Sequence, residues 1–173
     1  MAHTICGIDP GLGITGYAVL RTDARGGPGE VVEAGACRFG GKDKVPLAER
    51  LVQIDTDMTA IFAEHAPDIV AVEQLYAHYK HPRTAILMGH ARGVILLAAA
   101  RAGIEVRHFA ATRVKRHLTG NGRASKLQVQ RAVQTHLGLA APPEPPDVAD
   151  AIAIALCCAA EVAAKHTGLR GPR

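Results

Sequence analysis

Three short apolar runs open the chain. Thr4-Ile5-Cys6-Gly7-Ile8 ends in Asp9-Pro10-Gly11, a turn signal. Ile14 to Leu20 follows and closes on the Gly/Pro-rich turn Arg25-Gly26-Gly27-Pro28-Gly29, and Val31 to Phe39 is the third run. Short links between three strand patterns predict an antiparallel meander. The period then changes. Leu47, Leu51, Ile54, Met58, Ile61 and His65 fall at helical spacing, with Glu49, Arg50, Gln53, Asp57 and Glu64 on the opposite face, and Pro67 ends the helix. Ile69-Val70-Ala71-Val72 is continuously apolar, as in a strand covered on both faces, and it runs into Glu73. Residues 83–101 read as a helix apolar nearly all round, with Gly89 and Gly93 one turn apart, so it belongs either to the core or to an interface. Glu105 to Phe109 reads as a fifth strand. Helices are predicted over 111–119, 125–137 and 147–165, the last two joined by the stiff link Ala141-Pro142-Pro143-Glu144-Pro145-Pro146. The order βββαβαβααα predicts an α/β fold, a mixed five-stranded sheet flanked by helices.

With 173 residues and no internal repeat, the chain predicts a single domain over 1–173, its last ~10 residues a flexible tail. A chain of this size buries roughly 70% of its unfolded surface. No apolar run reaches membrane-spanning length without a charge or a break, and the N-terminus lacks a secretory pattern. Cys6, Cys37, Cys157 and Cys158 form no CxxC pair and suit reduced, buried thiols. A cytoplasmic protein with no membrane partner is expected.

Charge changes the picture. Residues 74–143 hold eleven Lys/Arg against one acid, Glu105, for a net +10, and the remainder carries −6. Such clustering is the footprint of phosphate binding, with a merely solvated face as the plain alternative. Gly11-Leu12-Gly13-Ile14-Thr15-Gly16 matches the G-x-G-x-x-G of dinucleotide folds, but that motif needs a helix to begin there. Tyr17-Ala18-Val19-Leu20 favours a strand, so these glycines are expected in a turn that lets backbone approach closely.

Two apolar strands end in carboxylates, Asp9 and Glu73. If the strands are parallel neighbours, both acids emerge at the sheet edge where such folds bind ligands. Asp147 and Asp150, at i and i+3 of a helix start, share a face. Four converging carboxylates need a cation between them, and oxygen ligands in that number suit Mg²⁺ or Mn²⁺. Two such ions about 4 Å apart can clamp the attacking and leaving oxygens of a phosphodiester. Each acid has an ordinary alternative. Asp147 and Asp150 fit a cap and a first-turn acid, and Asp9 fits a turn former. Glu73 is harder to explain away, since a carboxylate closing a buried strand needs a partner. Lys115, Lys126, Arg113 and Arg116 are candidates for holding phosphates, and Tyr76 and Tyr79 for stacking on unpaired bases, against the plainer readings of exposed helix charge and loop anchors. His78 and His81 look like a metal pair only superficially.

Gly7-Ile8-Asp9-Pro10-Gly11, Val72-Glu73-Gln74, Gly89-His90-Ala91-Arg92-Gly93, Gly120-Asn121-Gly122-Arg123-Ala124-Ser125-Lys126-Leu127-Gln128-Val129 and Asp147-Val148-Ala149-Asp150-Ala151, in that order, resemble the RuvC family of bacterial crossover-junction endonucleases. The resemblance spans residue 4 to about residue 160. It implies a ribonuclease H-like fold, a homodimer, and metal-dependent cleavage of four-way (Holliday) DNA junctions in recombination and repair. It places the catalytic, metal-binding acids at Asp9, Glu73, Asp147 and Asp150, with Mg²⁺ or Mn²⁺, two ions per subunit. DNA contacts then fall on Tyr76, Tyr79, Lys80, Arg113, Lys115, Arg116, Arg123 and Lys126. A branch-migration complex, RuvA–RuvB, is the implied partner. A junction is near two-fold symmetric, so a C₂ dimer would supply two matched sites.

Three other classes fit parts of the pattern. A structure-specific DNA-binding protein without catalysis would not need all four acids. A relative acting on RNA or an RNA–DNA hybrid would share them and differ in substrate preference. A kinase-like nucleotide-binding fold needs two similar domains, for which the chain is too short.

Overall fold

The structure is a computed structural model that describes residues 2–23, 29–39, 45–75 and 82–166. Ten elements follow one another: β1 (Thr4–Asp9), β2 (Ile14–Arg21), β3 (Glu30–Arg38), α1 (Leu47–His65), β4 (Ile69–Gln74), α2 (Pro82–Arg101), β5 (Glu105–Ala110), α3 (Ala111–Thr119), α4 (Lys126–Leu137) and α5 (Pro146–His166). The strands form one sheet in the order β3-β2-β1-β4-β5. β1, β2 and β3 make the antiparallel meander, and β4 and β5 add in parallel beside β1. The expected βββαβαβααα order holds, and the α4 and α5 ends move by only a residue. Of the flexible tail expected over the last ~10 residues, 164–166 belong to α5, and 167–173 lie outside the described residues, as do residues 25–28 of the turn expected at Arg25–Gly29.

Strand alternation sorts the core into two layers. Cys6, Ile8, Val70 and Val72 face α1 and α2, packing on Ile54, Met58, Phe62, Ala91 and Ile95. Ile5, Ile69, Ala71 and Phe109 face the other way, onto α3, α4 and α5. Helix α5 is enclosed on every side, with Ala151 to Ala159 each no more than 4% exposed. It has the sheet beneath and α3 and α4 against its outer side, which explains an apolar sequence with no polar stripe.

Helix α2 differs. Ala91, Ile95, Ala98 and Ala99 are buried, but Ile86 is 61% and Leu97 47% exposed on its outer side. By length and mean hydropathy, 1.2 over Arg83–Arg101, it would pass for a membrane span. Its inner side packs on α1 and β5, and it carries Arg92 at its middle. Of the two places the sequence allowed it, core or interface, it has the first along one side and leaves the other open. All four cysteines are free thiols, three of them buried, and burial pushes Cys6 up to about 12.

Candidate active site

The alternation that builds the core also aims the acids. β1 and β4 run parallel with Ile8 opposite Val72. Asp9 and Glu73 stand one step beyond that pair, at the carboxyl ends of the two central strands. Both share the face of Ile5, Ile69 and Ala71, which is the α5 side. Helix α5 starts over the same spot and brings Asp147 from its first turn and Asp150 just after it. Two glycines let it come so near. A Cβ on Gly16 would stand 2.0 Å from the Asp147 carbonyl oxygen, and one on Gly7 would stand 2.3 Å from the Ala151 carbonyl oxygen. The third glycine of the G-x-G-x-x-G string therefore serves backbone-to-backbone packing. Gly11 opens the turn, where Thr15 Oγ1 donates to its carbonyl at 2.8 Å. No helix begins there, as the strand-forming residues after it indicated.

The acids feel one another. Asp9 is pushed up from 3.8 to about 8, first by burial and then by Glu73 and Asp150, with Asp147 adding less and Lys126 opposing. Glu73 and Asp150 are also raised, chiefly by burial. Lys126, the first residue of α4, reaches in from the side. Its ammonium lies 3.5 Å from Asp150 Oδ2 and 3.9 Å from Asp147 Oδ1. Burial works against that charge, yet Asp150, Asp147 and Asp9 hold it above its ordinary value. Lys126 is well placed because Ser125 caps α4. Ser125 and Gln128 exchange side-chain-to-backbone hydrogen bonds in a capping box.

This donor set fits divalent magnesium or manganese. All four groups are hard oxygen ligands, their combined charge exceeds that of the one ammonium among them, and Asp147 and Asp150 keep 25% and 18% exposure for entry from solvent. Among the described residues, the group whose ligand atoms already lie within 4.8 Å of one another is a different one, Glu33, Glu64 and His65 on β3 and α1. There Glu33 already has two partners. Glu33 accepts from the Tyr17 hydroxyl, and His65 Nε2 lies 3.1 Å from Glu33 Oε2.

Around the acids, Lys115 of α3 is near enough to lower both Glu73 and Asp150. Arg116 and Arg123 are exposed on α3 and the turn after it. Arg113 is engaged elsewhere. Its guanidinium lies 2.6 Å from Glu161 Oε2 on α5 and 5.2 Å from the centre of the Phe109 ring. Other cations of the basic segment are similarly committed, Arg101 to Asp55 and Arg107 to Glu105 and Glu161, so its +10 is not all offered to a ligand. Tyr76, Tyr79 and Lys80, with His78 and His81, lie outside the described residues. Sequence reasoning missed the part played by Arg92, whose Nε donates to the Glu73 backbone carbonyl at 3.0 Å. A lone cation inside an apolar helix was the available signal.

A family profile described as crossover junction endodeoxyribonuclease RuvC matches residues 5–158. The RuvC of Rhodopirellula baltica is 55% identical over 157 residues, 90% of this chain and 85% of that one. The RuvC of Heliobacterium modesticaldum is 45% identical over 155 residues, covering 90% and 93%. Among solved structures, Thermus thermophilus RuvC in complex with a Holliday junction substrate superposes with a TM-score of 0.81 at 30% identity, over 94% of this chain and 96% of that one. The yeast mitochondrial resolvase Ydc2, at 11% identity and a TM-score of 0.63, shares the fold. These matches, with the mixed five-stranded sheet, define a nuclease with a ribonuclease H-like fold. The chain belongs to the RuvC family of crossover junction endodeoxyribonucleases.

Proposed function

We propose that the protein is a homodimeric resolvase that cuts four-way DNA junctions by two symmetric, metal-dependent phosphodiester hydrolyses, in homologous recombination and repair. The observation that carries this reading is the gathering of Asp9, Glu73, Asp147 and Asp150 from three separated segments, with Asp9 pushed up to about 8 by its burial and the other acids. Their carboxylates would hold Mg²⁺ or Mn²⁺, two ions per subunit. Such ions, when bound, supply a reactive water and offset charge on the phosphate. Lys126 and Lys115 stand beside the acids, where they can hold a phosphate in line with the attacking water. Arg116 and Arg123 extend the positive surface, and Arg113 would have to leave Glu161 to join it. Tyr76, Tyr79 and Lys80 would contact bases and backbone at the crossover.

The second subunit would meet the outer side of α2. A groove of about 420 Å³ lies there, lined by Leu51, Ile86, Gly89, His90, Gly93 and Leu97. Among the described residues, nothing beyond the helix's own backbone lies within 4 Å of where a Cβ on Gly89 or Gly93 would stand, so a partner helix has room to approach. Two copies related by a two-fold axis match the symmetry of the junction. The protein would work in the cytoplasm as one domain, alongside a RuvA–RuvB branch-migration complex.

The test is a labelled four-way junction incubated with and without Mn²⁺ or Mg²⁺, with both nick positions mapped. Paired nicks at symmetric positions, only with metal, are expected. Asp9→Asn is expected to bind the junction and not cut it. Undiminished cutting by that variant would refute the metal role, and a hybrid duplex that outcompetes the junction would favour an RNA-directed relative.

A further inference from the structure

Helix α2 has two sides with separate tasks, and Arg92 joins them. Outward it offers Ile86, Gly89, Gly93 and Leu97. Inward it is apolar except for Arg92, whose near neighbours Ala91 and Ile95 are fully buried. Burial lowers the Arg92 guanidinium below its ordinary value, so the structure keeps a cation there at a cost. Its two hydrogen bonds show what the cation holds. Nε donates to the Glu73 carbonyl at 3.0 Å, and a terminal nitrogen reaches His108 Nδ1 at 2.8 Å.

The register makes these contacts a clamp across the two edge-side strands. His108 of β5 lies opposite Val72 of β4, and Phe109 opposite Glu73. Val72 belongs to the layer facing α2. By alternation, the Glu73 side chain points the opposite way, toward α5 and the other acids. Arg92 therefore grips the Glu73 peptide from behind the sheet while the carboxylate faces the site in front. Glu73 is one residue from the end of β4, past the last β1 pairing at Val72, so sheet hydrogen bonds hold it from the β5 side.

We propose that Arg92 is a positioning residue that fixes the Glu73 strand end for cation binding, and that through it the seating of α2 against a second subunit is felt at the acids. The proposal rests on the reading of the four acids as a metal centre and of the outer side of α2 as the subunit interface. Groups that orient metal ligands without touching the metal typically change affinity 10–100-fold when removed. By linkage, a coupling between association and cation binding works equally in both directions.

The experiment titrates Mn²⁺ into metal-free, full-length protein by calorimetry, for wild type, Arg92→Met, Arg92→Lys, His108→Ala and Asp9→Asn. Thermal unfolding and junction binding without metal are measured alongside. Arg92→Met is expected to weaken Mn²⁺ binding by about tenfold or more while junction binding stays within about twofold. Its cutting is expected to recover as Mn²⁺ is raised, and Arg92→Lys, which can still reach one acceptor, is expected to recover part of the affinity. Loss of His108, the other anchor of the clamp, is expected to weaken Mn²⁺ in the same direction and by less. Dilution to monomer is expected to weaken Mn²⁺ in the wild type more than in Arg92→Met, because the variant has lost the link. Unchanged Mn²⁺ affinity in folded Arg92→Met overturns the positioning role. If Arg92→Met fails to fold, unchanged affinity in both Arg92→Lys and His108→Ala overturns it. Wild-type Mn²⁺ binding by Asp9→Asn would instead sink the metal-centre reading beneath it.

Discussion

Replacing Asp9 with Asn is expected to stabilise the metal-free protein at mildly alkaline pH and, on the proposed function, to end cleavage. The folded-state value of Asp9 is about 8 against an ordinary 3.8. Between those limits the unfolded chain carries a charge at this position and the folded site carries a proton. Unfolding then releases a proton, so stability is greatest at low pH and falls as pH rises toward the folded value. A full proton difference changes stability by about 1.4 kcal/mol per pH unit. From about pH 6 to about pH 8, Asp9 alone would remove about 2–3 kcal/mol. Side-chain rotation and water entry return part of that, leaving about 2 kcal/mol, or roughly 4–8 °C in Tm for a chain this long. Glu73 and Asp150 are raised as well and act with the same sign. The assay is thermal or urea unfolding after stripping metal, at both pH values, for wild type and Asp9→Asn. The variant is expected to lose much of the pH slope and to unfold later than wild type at about pH 8, with the two converging toward about pH 4. Mn²⁺ is expected to raise the wild-type Tm far more than that of the variant, since it binds only the assembled site. An equal pH slope in the two proteins would show that Asp9 is not forced to hold a proton, and the account of the site as an uncompensated cluster would fail.

Three further outcomes follow from contacts at the site and on α2. Gly93→Ala adds a Cβ that meets nothing in the single chain, so it is expected to favour helix α2 by about 0.5–1 kcal/mol while weakening subunit association; sedimentation across a dilution series separates the two effects. Gly16→Ala forces a Cβ against the Asp147 carbonyl and is expected to cost about 2–3 kcal/mol and most of the cutting activity, whereas Gly13→Ala, which faces open space, is expected to do neither. Lys126→Met removes the cation beside Asp147 and Asp150, so the metal-free fold is expected to lose about 0.5–1 kcal/mol, Mn²⁺ to bind at least as tightly as in wild type, and cutting to slow; weaker Mn²⁺ binding would show that the lysine does not compete for the acids.

Much of this was legible along the chain because periodicity records which face a side chain takes. Ile8-Asp9 and Val72-Glu73 each place an acid after a strand, and the i, i+3 spacing of Asp147 and Asp150 puts both on one side of α5. What periodicity does not record is which strands become neighbours. The parallel pairing of β1 with β4 joins residues more than sixty positions apart, and without it Asp9 and Glu73 are two unrelated strand-end acids. The same limit hid the clamp at Arg92, whose partners Glu73 and His108 lie 19 and 16 residues away on different strands. It also hid the pairing of Arg113, read along the chain as a phosphate contact, with Glu161, 48 residues on. The Glu33, Glu64 and His65 group had no signature either, since it exists only where β3 passes the end of α1.

Helix α5 rests on the sheet at two bare points, Gly7 and Gly16, with backbone against backbone and no side chain between to yield. Close backbone contact at two places limits how far the helix shifts without moving the sheet. Asp147 and Asp150, near the start of that helix, are thus placed relative to the strand ends by the close approach of the sheet itself. On the proposed function, cations entering among the acids would be met by swivelling of carboxyl groups and withdrawal of the Lys126 ammonium, one flexible arm moving against a still frame.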